Sequence, residues 1–200
     1  MTPARLETFA DGVFAIAATL LIIDVGVPTD LTQPLGDELL DIWPEYAAYA
    51  ISFVTIGIMW VNHHMLVRQI ERIDRPFLFL NIGLLLCIAF VPFPTRVLAE
   101  FIQTDDARPA ALLYGITMTT TALFFNAVWL YASHRGRLVH PGADPREVSG
   151  ITRSYLPGVP MYAAATLVAF VSAGLSAALF GLIAAFYMVS STFFGRELEV

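Results

Sequence analysis

Residues 5–27 read RLETFADGVFAIAATLLIIDVGV, and this stretch decides the class of fold. From residue 9 onward it is almost wholly apolar, and it reaches the length of about 20 residues that a membrane-spanning helix needs. Glu7 and Asp11 lie beside Arg5 at its start, and no small-residue cleavage site follows. We therefore expect a retained transmembrane helix and not a signal peptide.

The composition of the whole chain agrees with a membrane protein. Of its 200 residues, 57% are hydrophobic and 14% are charged, whereas a soluble domain is about half apolar and about a quarter charged. The length leaves room for five or six spans with short loops, so we predict one transmembrane domain, residues 1–200. The net charge of -6 argues against nucleic acid as a partner, because phosphate binding needs a positive surface.

Apolar runs separated by polar or proline-rich breaks predict an all-α integral membrane protein with six transmembrane helices. The predicted spans cover residues 6–27, 45–69, 76–101, 109–133, 157–174 and 176–194. A short break at 173–176 separates the last two. We interpret them as a helical hairpin, because one helix of about 38 apolar residues overruns a bilayer core of about 30 Å.

The cations are distributed unevenly, and all of them are arginines. Most follow the second or fourth span or lie near the ends of the chain: Arg5, Arg68, Arg72, Arg75, Arg135, Arg137, Arg146, Arg153 and Arg196. The loop of residues 28–44 carries acids and no cation. By the positive-inside rule, we predict a multi-pass cell-membrane protein with both termini cytoplasmic and the acidic loops outside.

One face of the first helix is a narrow apolar stripe that bears one hydroxyl. At about 100° per residue, Gly12, Ile16, Thr19 and Ile23 fall within an arc of about 60°, with Leu20 at its edge. In one interpretation the stripe packs against another helix, and Thr19 bonds to its own backbone. In the other it is a pore wall, where rings of isoleucine gate by dewetting and Thr19 partly replaces ion hydration. Spacing alone does not choose between them.

The second span ends in WVNHHMLVRQIERIDR, residues 60–75. His63 and His64 point about 100° apart on a helix, so we expect no shared metal. Instead we expect one histidine ring to bond to a carboxylate at the same depth, with Glu7 and Asp11 as candidates. A static interhelical bond is favoured over a pH sensor.

Proline interrupts the third span, and the motifs of catalysis are missing. Pro92 and Pro94 in VPFPTR break the intrahelical hydrogen bonding, so the freed carbonyls need other partners. The sequence has no TVGYG-type filter, phosphate-binding loop, zinc-spaced cluster or nucleophile elbow. We therefore expect no enzyme, no metal site and no cofactor.

The first half of the chain resembles the prokaryotic branch of the transmembrane protein 175 family. Arg5, Phe9, Asp11 and Gly12, followed by AIAATLLIIDV, are similar to its R-x-x-x-F-S-D signature. The signature Ser is Ala10 here, so any hydrogen bond of that hydroxyl is missing. Further matches are Trp60 and His63 in a W-x-x-H pattern, Asp74 and Arg75, Asn81, and the run Pro92, Phe93, Pro94.

The resemblance implies a homotetrameric potassium-selective channel in which the first helix lines the pore. A hydrophobic constriction then replaces the usual filter, with Ile16 at the narrowest point and Leu20 and Ile23 as further apolar positions. Thr19 forms a polar ring that contributes to selectivity. Arg5, Phe9 and Asp11 are implied to form a cytoplasmic-end network, for which Trp60 and His63 are candidate partners.

In this hypothesis, acids near the outer mouth, Asp24 and Asp30, raise the local concentration of cations. Potassium is the expected permeant ion, and the lipid bilayer and further copies of the chain are the expected partners. Two alternatives remain. One is an ion- or proton-coupled secondary transporter that uses Asp11, Asp24 or His63 as relay groups. The other is a membrane scaffold without a pore.

Overall fold

The computed structural model describes residues 2–27 and 34–195, and within these ranges the protein is helical with no strand. A 3-10 turn, His134–Gly136, follows the sixth α-helix. The α-helices are α1 Pro3–Ile23, α2 Leu35–Asp41, α3 Trp43–Arg68, α4 Arg75–Phe90, α5 Pro92–Phe101, α6 Ala107–Ser133, α7 Pro145–Tyr155, α8 Gly158–Val168 and α9 Ala173–Gly195. The predicted all-α class is confirmed.

Four helices in the described ranges are long and apolar enough to cross a membrane, with α4 and α5 counted together. They are Pro3–Ile23, Trp43–Arg68, Arg75–Phe101 and Ala107–Gly136, and they match the first four predicted spans. By contrast, α8 has 11 residues and is about 16 Å long, which is short of a bilayer core of about 30 Å. The count of six spans therefore stays a prediction.

The predicted hairpin near the C-terminus is present, although its break lies at residues 169–172 and not at 173–176. Ser172 explains the shift, because its hydroxyl accepts a hydrogen bond of 3.2 Å from the backbone N–H of Leu175. That bond caps the start of α9. Ser176 then ties the hairpin together by donating to the carbonyl of Ala165 in α8 at 2.7 Å.

The proline-rich run produces the predicted break, which separates α4 from α5 at Val91. The carbonyl of Ile88, which has no N–H from residue 92 to accept, bonds to the backbone N–H of Val91 at 3.1 Å instead. The hydroxyl of Thr95 donates to the carbonyl of Val91 at 2.9 Å. The same hydroxyl oxygen is 2.9 Å from the hydroxyl of Ser52 in α3, which in turn is 3.1 Å from the hydroxyl of Tyr114 in α6. The break is thus held by three helices.

Helix α6 lies at the centre of the fold and packs against α4, α5, α7, α8 and α9. Two glycines permit the closest approaches. A Cβ at Gly83 of α4 would lie 2.4 Å from the ring of Phe124, and one at Gly115 of α6 would lie 2.3 Å from the hydroxyl of Thr166. At the edge of this assembly, α1 packs mainly against α3, α4 and α5.

The arginine-rich loops lie together at one end of the helices, which we call the basic end. Ile70 and Val139 form an isolated antiparallel bridge that joins the loop after α3 to the loop after α6. The start of α1 meets the last turns of α3 through Glu7 and His64. Arg5 and both basic loops therefore share this end, as the charge distribution predicted, and Arg196 lies outside the described residues.

Candidate functional site: the free face of the first helix

One face of α1 is buried against its neighbours. Its buried side chains recur every three or four residues: Leu6, Ala10, Phe14, Ala17 and Leu21. Small residues in this row let α1 approach α3 and α4 closely. Ala10, which replaces the signature Ser, is 0% exposed. Where the signature Ser would place its hydroxyl, this chain therefore has a packed apolar side chain.

The stripe of Gly12, Ile16, Thr19 and Ile23 lies on the other face. The side chains of Ile16 and Ile23 are 61% and 74% exposed, and that of Leu20 is 42% exposed. A Cβ on Gly12 would meet nothing within 4 Å. The stripe takes no part in packing within the described part of the chain, so the packing interpretation is not met there. We call this surface the free face of α1.

Thr19 is the one hydroxyl within that stripe, and its donor is satisfied locally. Its Oγ1 atom lies 2.9 Å from the carbonyl oxygen of Ala15 and 3.0 Å from that of Ile16. A hydroxyl has one donor and two acceptor lone pairs. Because the hydrogen is directed at the backbone, the oxygen of the exposed Thr19 side chain presents its acceptor capacity outward. An acceptor oxygen on an apolar face suits a cation.

At the basic end, α1 is tied to α3 by two polar contacts. The indole N–H of Trp60 donates to Oδ1 of Asp11 at 2.8 Å, and Nδ1 of His64 lies 2.5 Å from Oε1 of Glu7. The histidine that reaches a carboxylate is therefore His64. Sequence spacing identified the two acids and the two histidines as candidates without pairing them.

His63 points into the core, about 100° from His64 around α3. It is 1% exposed, its Nε2 atom lies 2.8 Å from Oδ1 of Asn81 in α4, and its ring centroid is 5.5 Å from that of Phe14. Asn81 is 0% exposed and its Nδ2 atom has no hydrogen-bond partner among the described residues. His63 thus anchors α3 to α4 and does not touch the acids of α1.

Arg5 and Phe9 extend the free face toward the basic end. Phe9 is 57% exposed, and Arg5 is exposed without an ion pair to any described side chain. Of the predicted cytoplasmic-end network, the chain by itself joins only Asp11 and Trp60. Arg5 and Phe9 lie on a surface open to another copy, to lipid or to water, whereas His63 is buried against α4.

At the opposite end, Asp24 has a partner that sequence analysis missed. Nη1 of Arg96 in α5 lies 3.4 Å from Oδ1 of Asp24. Glu45 of α3 also reaches this end, where its carboxylate accepts from the backbone N–H of Gly26. Arg96 belongs to the VPFPTR run, but nothing in that run indicates proximity to Asp24. Asp30 lies outside the described residues.

Comparison with known proteins identifies a consistent set of relatives. The profile of the family described as "Endosomal/lysosomal potassium channel TMEM175" matches residues 5–92. A potassium channel from Streptomyces collinus is 43% identical over 185 residues, which is 92% of this chain and 90% of that one.

Two further relatives extend the comparison to solved structures and to vertebrates. The crystal structure of a lysosomal potassium-selective channel TMEM175 homologue from Chamaesiphon minutus superposes with a TM-score of 0.87 at 37% identity, covering 94% of this chain and 97% of that one. The endosomal/lysosomal proton channel TMEM175 of Gallus gallus is 34% identical over 154 residues, which is 72% of this chain and 31% of that protein.

Proposed function

The chain belongs to the TMEM175 family, and from that premise we propose that it is a potassium-selective cation channel of a cell membrane. The relatives from Streptomyces collinus and Chamaesiphon minutus support potassium as the permeant ion, because their similarity extends over at least nine tenths of both chains. The apolar helices support a multi-pass protein. With the basic end cytoplasmic, an even number of spans, six in our proposal, places both termini inside.

The observation that carries the proposal is the free face of α1. We propose that four copies of the chain surround an axial pathway and that each contributes this face to the wall. The row from Leu6 to Leu21 attaches α1 to its own subunit. That arrangement leaves Ile16, Thr19 and Ile23 available to the pathway.

The proposed constriction consists of apolar rings. Ile16 makes the narrowest ring, and Leu20 and Ile23 continue the apolar wall toward the outer mouth. A ring of apolar side chains gates by expelling water from the passage. An ion that crosses it must lose part of its hydration shell, so conduction is controlled by dehydration and not by a charged filter.

Thr19 lies one helical turn outward from Ile16, about 4.5 Å along the axis. Its acceptor oxygen partly replaces the water that a cation has lost. This favours potassium, which is larger and more weakly hydrated than sodium. Asp24 and Asp30 are proposed to raise the cation concentration at the outer mouth, with the charge of Asp24 partly compensated by Arg96.

The test is ion flux into liposomes that contain the purified protein, with potassium and sodium gradients compared. We expect potassium flux to exceed sodium flux and Ile16→Asn to increase the flux, because an amide wets the constriction. The control is Ile22→Asn, which introduces the same amide at a 53% exposed position of the same helix, about 90° from the stripe. Its flux should equal that of the wild type.

The same liposomes distinguish the alternatives. Slow potassium transport that requires a second ion indicates a carrier, and no flux from a correctly folded oligomer indicates a scaffold. A pH-sensitive dye inside the liposomes tests a proton channel, which is how the Gallus gallus relative is described. Proton flux without potassium flux would show that protons, and not potassium, are the permeant ion.

A further inference from the structure

A groove lies at the basic end of α6, away from the free face of α1. It has a volume of about 600 Å³ and is open to the outside. We call it the basic-end groove, and its walls are Leu130, Tyr131, Ser133, His134, Arg137 and Thr152. Its position, at the boundary between apolar helix and basic loop, is where the headgroups of a bilayer lie.

The basic loop after α3 holds the backbone beside the groove in place. Glu71 N–H donates to the carbonyl of Leu138 at 2.9 Å, and His140 N–H donates to that of Gln69 at 3.0 Å. The guanidinium of Arg72 donates twice to the carbonyl of Arg137, at 3.0 and 3.2 Å. The guanidinium of Arg72 is therefore fixed against the main chain of Arg137.

The turn that leads into Arg137 has an unusual backbone. Arg135 and Gly136 have φ values of 55° and 64°, the left-handed region that costs a side-chain-bearing residue free energy. The turn brings Arg137 back over α6, where its Cζ atom lies 4.6 Å from the ring centroid of Tyr131. The cation is thus placed on an aromatic ring at the lip of the groove.

The positive charge of this region is not taken up by ion pairs with the described residues. None of the arginines of the two basic loops has an ion pair within 4.0 Å among the described residues. Three nearby acids accept hydrogen bonds from uncharged donors instead. Asp74 accepts from the hydroxyl of Tyr131 (2.7 Å), Glu147 from the amide of Gln69 (2.9 Å), and Asp144 from the backbone N–H of Arg146 (2.8 Å).

The groove combines this charge with an apolar wall. Leu130 is 47% exposed and continues the surface of α6 toward the bilayer. Ser133 and His134 add potential donors beside Arg137. A soluble anion needs only the charged part, whereas a ligand with an anionic head and an apolar tail matches both parts.

We propose that the basic-end groove binds an anionic phospholipid, with its phosphate diester at Arg137 and an acyl chain along Leu130. Basic pockets at the cytoplasmic ends of transmembrane helices bind such headgroups, and a guanidinium offers a planar pair of donors to phosphate oxygens. The lipid neutralises an arginine that has no ion pair with a described residue. Binding of this lipid does not depend on which ion the protein conducts.

The experiment measures binding of phosphatidylglycerol to the full-length protein in neutral detergent, by native mass spectrometry with phosphatidylcholine as the reference lipid. We expect saturable retention of phosphatidylglycerol. Arg137→Gln should weaken it about five-fold, the contribution of one arginine close to an anionic headgroup. Arg137→Lys, which keeps the charge and loses the planar fork, should retain part of the affinity.

Arg146→Gln is the matched control, because it removes the same charge from an exposed arginine outside the groove. It should bind phosphatidylglycerol like the wild type. Equal losses of lipid affinity in Arg146→Gln and Arg137→Gln would show that diffuse surface charge, and not the groove, binds the lipid. Retention unaffected by Arg137→Gln would overturn the proposal, as would displacement of the lipid by equimolar inorganic phosphate. Oligomer size on gel filtration verifies that each variant is folded.

Discussion

Nη1 of Arg96 lies 3.4 Å from Oδ1 of Asp24, across a separation of 72 residues in the chain. Asp24 ends α1, and Arg96 lies in α5 just beyond the proline break. The side chain of Arg96 is 60% exposed and that of Asp24 is 25% exposed, so the pair contributes little to stability. Its main effect is electrostatic, because each charge reduces the field of the other at this end of α1.

Arg96→Gln should therefore increase potassium conductance. The free carboxylate of Asp24 attracts cations to the outer mouth, and we expect an increase of about two-fold at low salt. The effect should vanish at high salt, where the screening length falls to about 3 Å. Single-channel recording at low and high potassium checks both statements.

Arg108→Gln is the control for this variant, since it removes an exposed arginine from the first turn of α6 without freeing Asp24. An equal increase in conductance for both variants would show that total charge matters and the pairing does not. The double variant of Arg96→Gln with Asp24→Asn should return to the conductance of the wild type.

Thr19→Ala should reduce the preference for potassium while conduction persists. The substitution removes the acceptor oxygen but leaves the apolar rings of Ile16 and Ile23 in place. Reversal potentials under bi-ionic conditions measure the change. Thr19→Ser keeps the hydroxyl and should keep most of the selectivity. Reversal potentials unchanged in Thr19→Ala would remove this side chain from the mechanism.

Gly83→Ala should destabilise the protein, because its Cβ would lie 2.4 Å from the ring of Phe124. Forcing a methyl group into a packed contact costs about 1–3 kcal/mol. We expect a lower unfolding temperature of the purified protein in detergent. Gly57→Ala is the control, since nothing lies within 4 Å of its Cβ position, and alanine favours a helix by about 1 kcal/mol. A Gly83→Ala protein as stable as the control would contradict the tight packing of α4 on α6.

Trp60→Phe should loosen α1 from α3. It removes the 2.8 Å hydrogen bond to Asp11 and leaves a carboxylate without that donor, at a cost of about 1–2 kcal/mol. We expect the unfolding temperature to fall. Trp43→Phe makes the same change at an indole that is 56% exposed and has no hydrogen bond to a described residue. Equal unfolding temperatures of the two variants would show that the bond to Asp11 does not stabilise α1.

Much of the fold follows from local sequence properties. The four long apolar helices, the break at Pro92 and Pro94, and the C-terminal hairpin were all predicted. Each depends on backbone hydrogen bonding or on the transfer of apolar residues into lipid, and both are nearly independent of distant residues. The break before α9 was misplaced, because the apolar residues around Ser172 do not indicate that its hydroxyl caps the helix.

The sequence predicted which residues share one face of α1, but it did not predict that this face is exposed. Helical periodicity places Ile16, Thr19 and Ile23 on one face in any environment, so the stripe was determined by residue order alone. Whether that face is buried depends on where the small side chains of α1 meet α3 and α4. Tertiary packing decided this by burying the row that contains Ala10 and leaving the stripe exposed.

Pairing of polar groups was decided in the same way. The order of residues determines that His63 and His64 point in different directions, but the rotation of α3 between α1 and α4 determines their partners. His63 reaches Asn81 and His64 reaches Glu7. Arg96 meets Asp24 only because α5 resumes beyond the proline break beside the end of α1. A hydrogen bond or ion pair acts over a few ångströms, so such contacts exist only once the helices have packed.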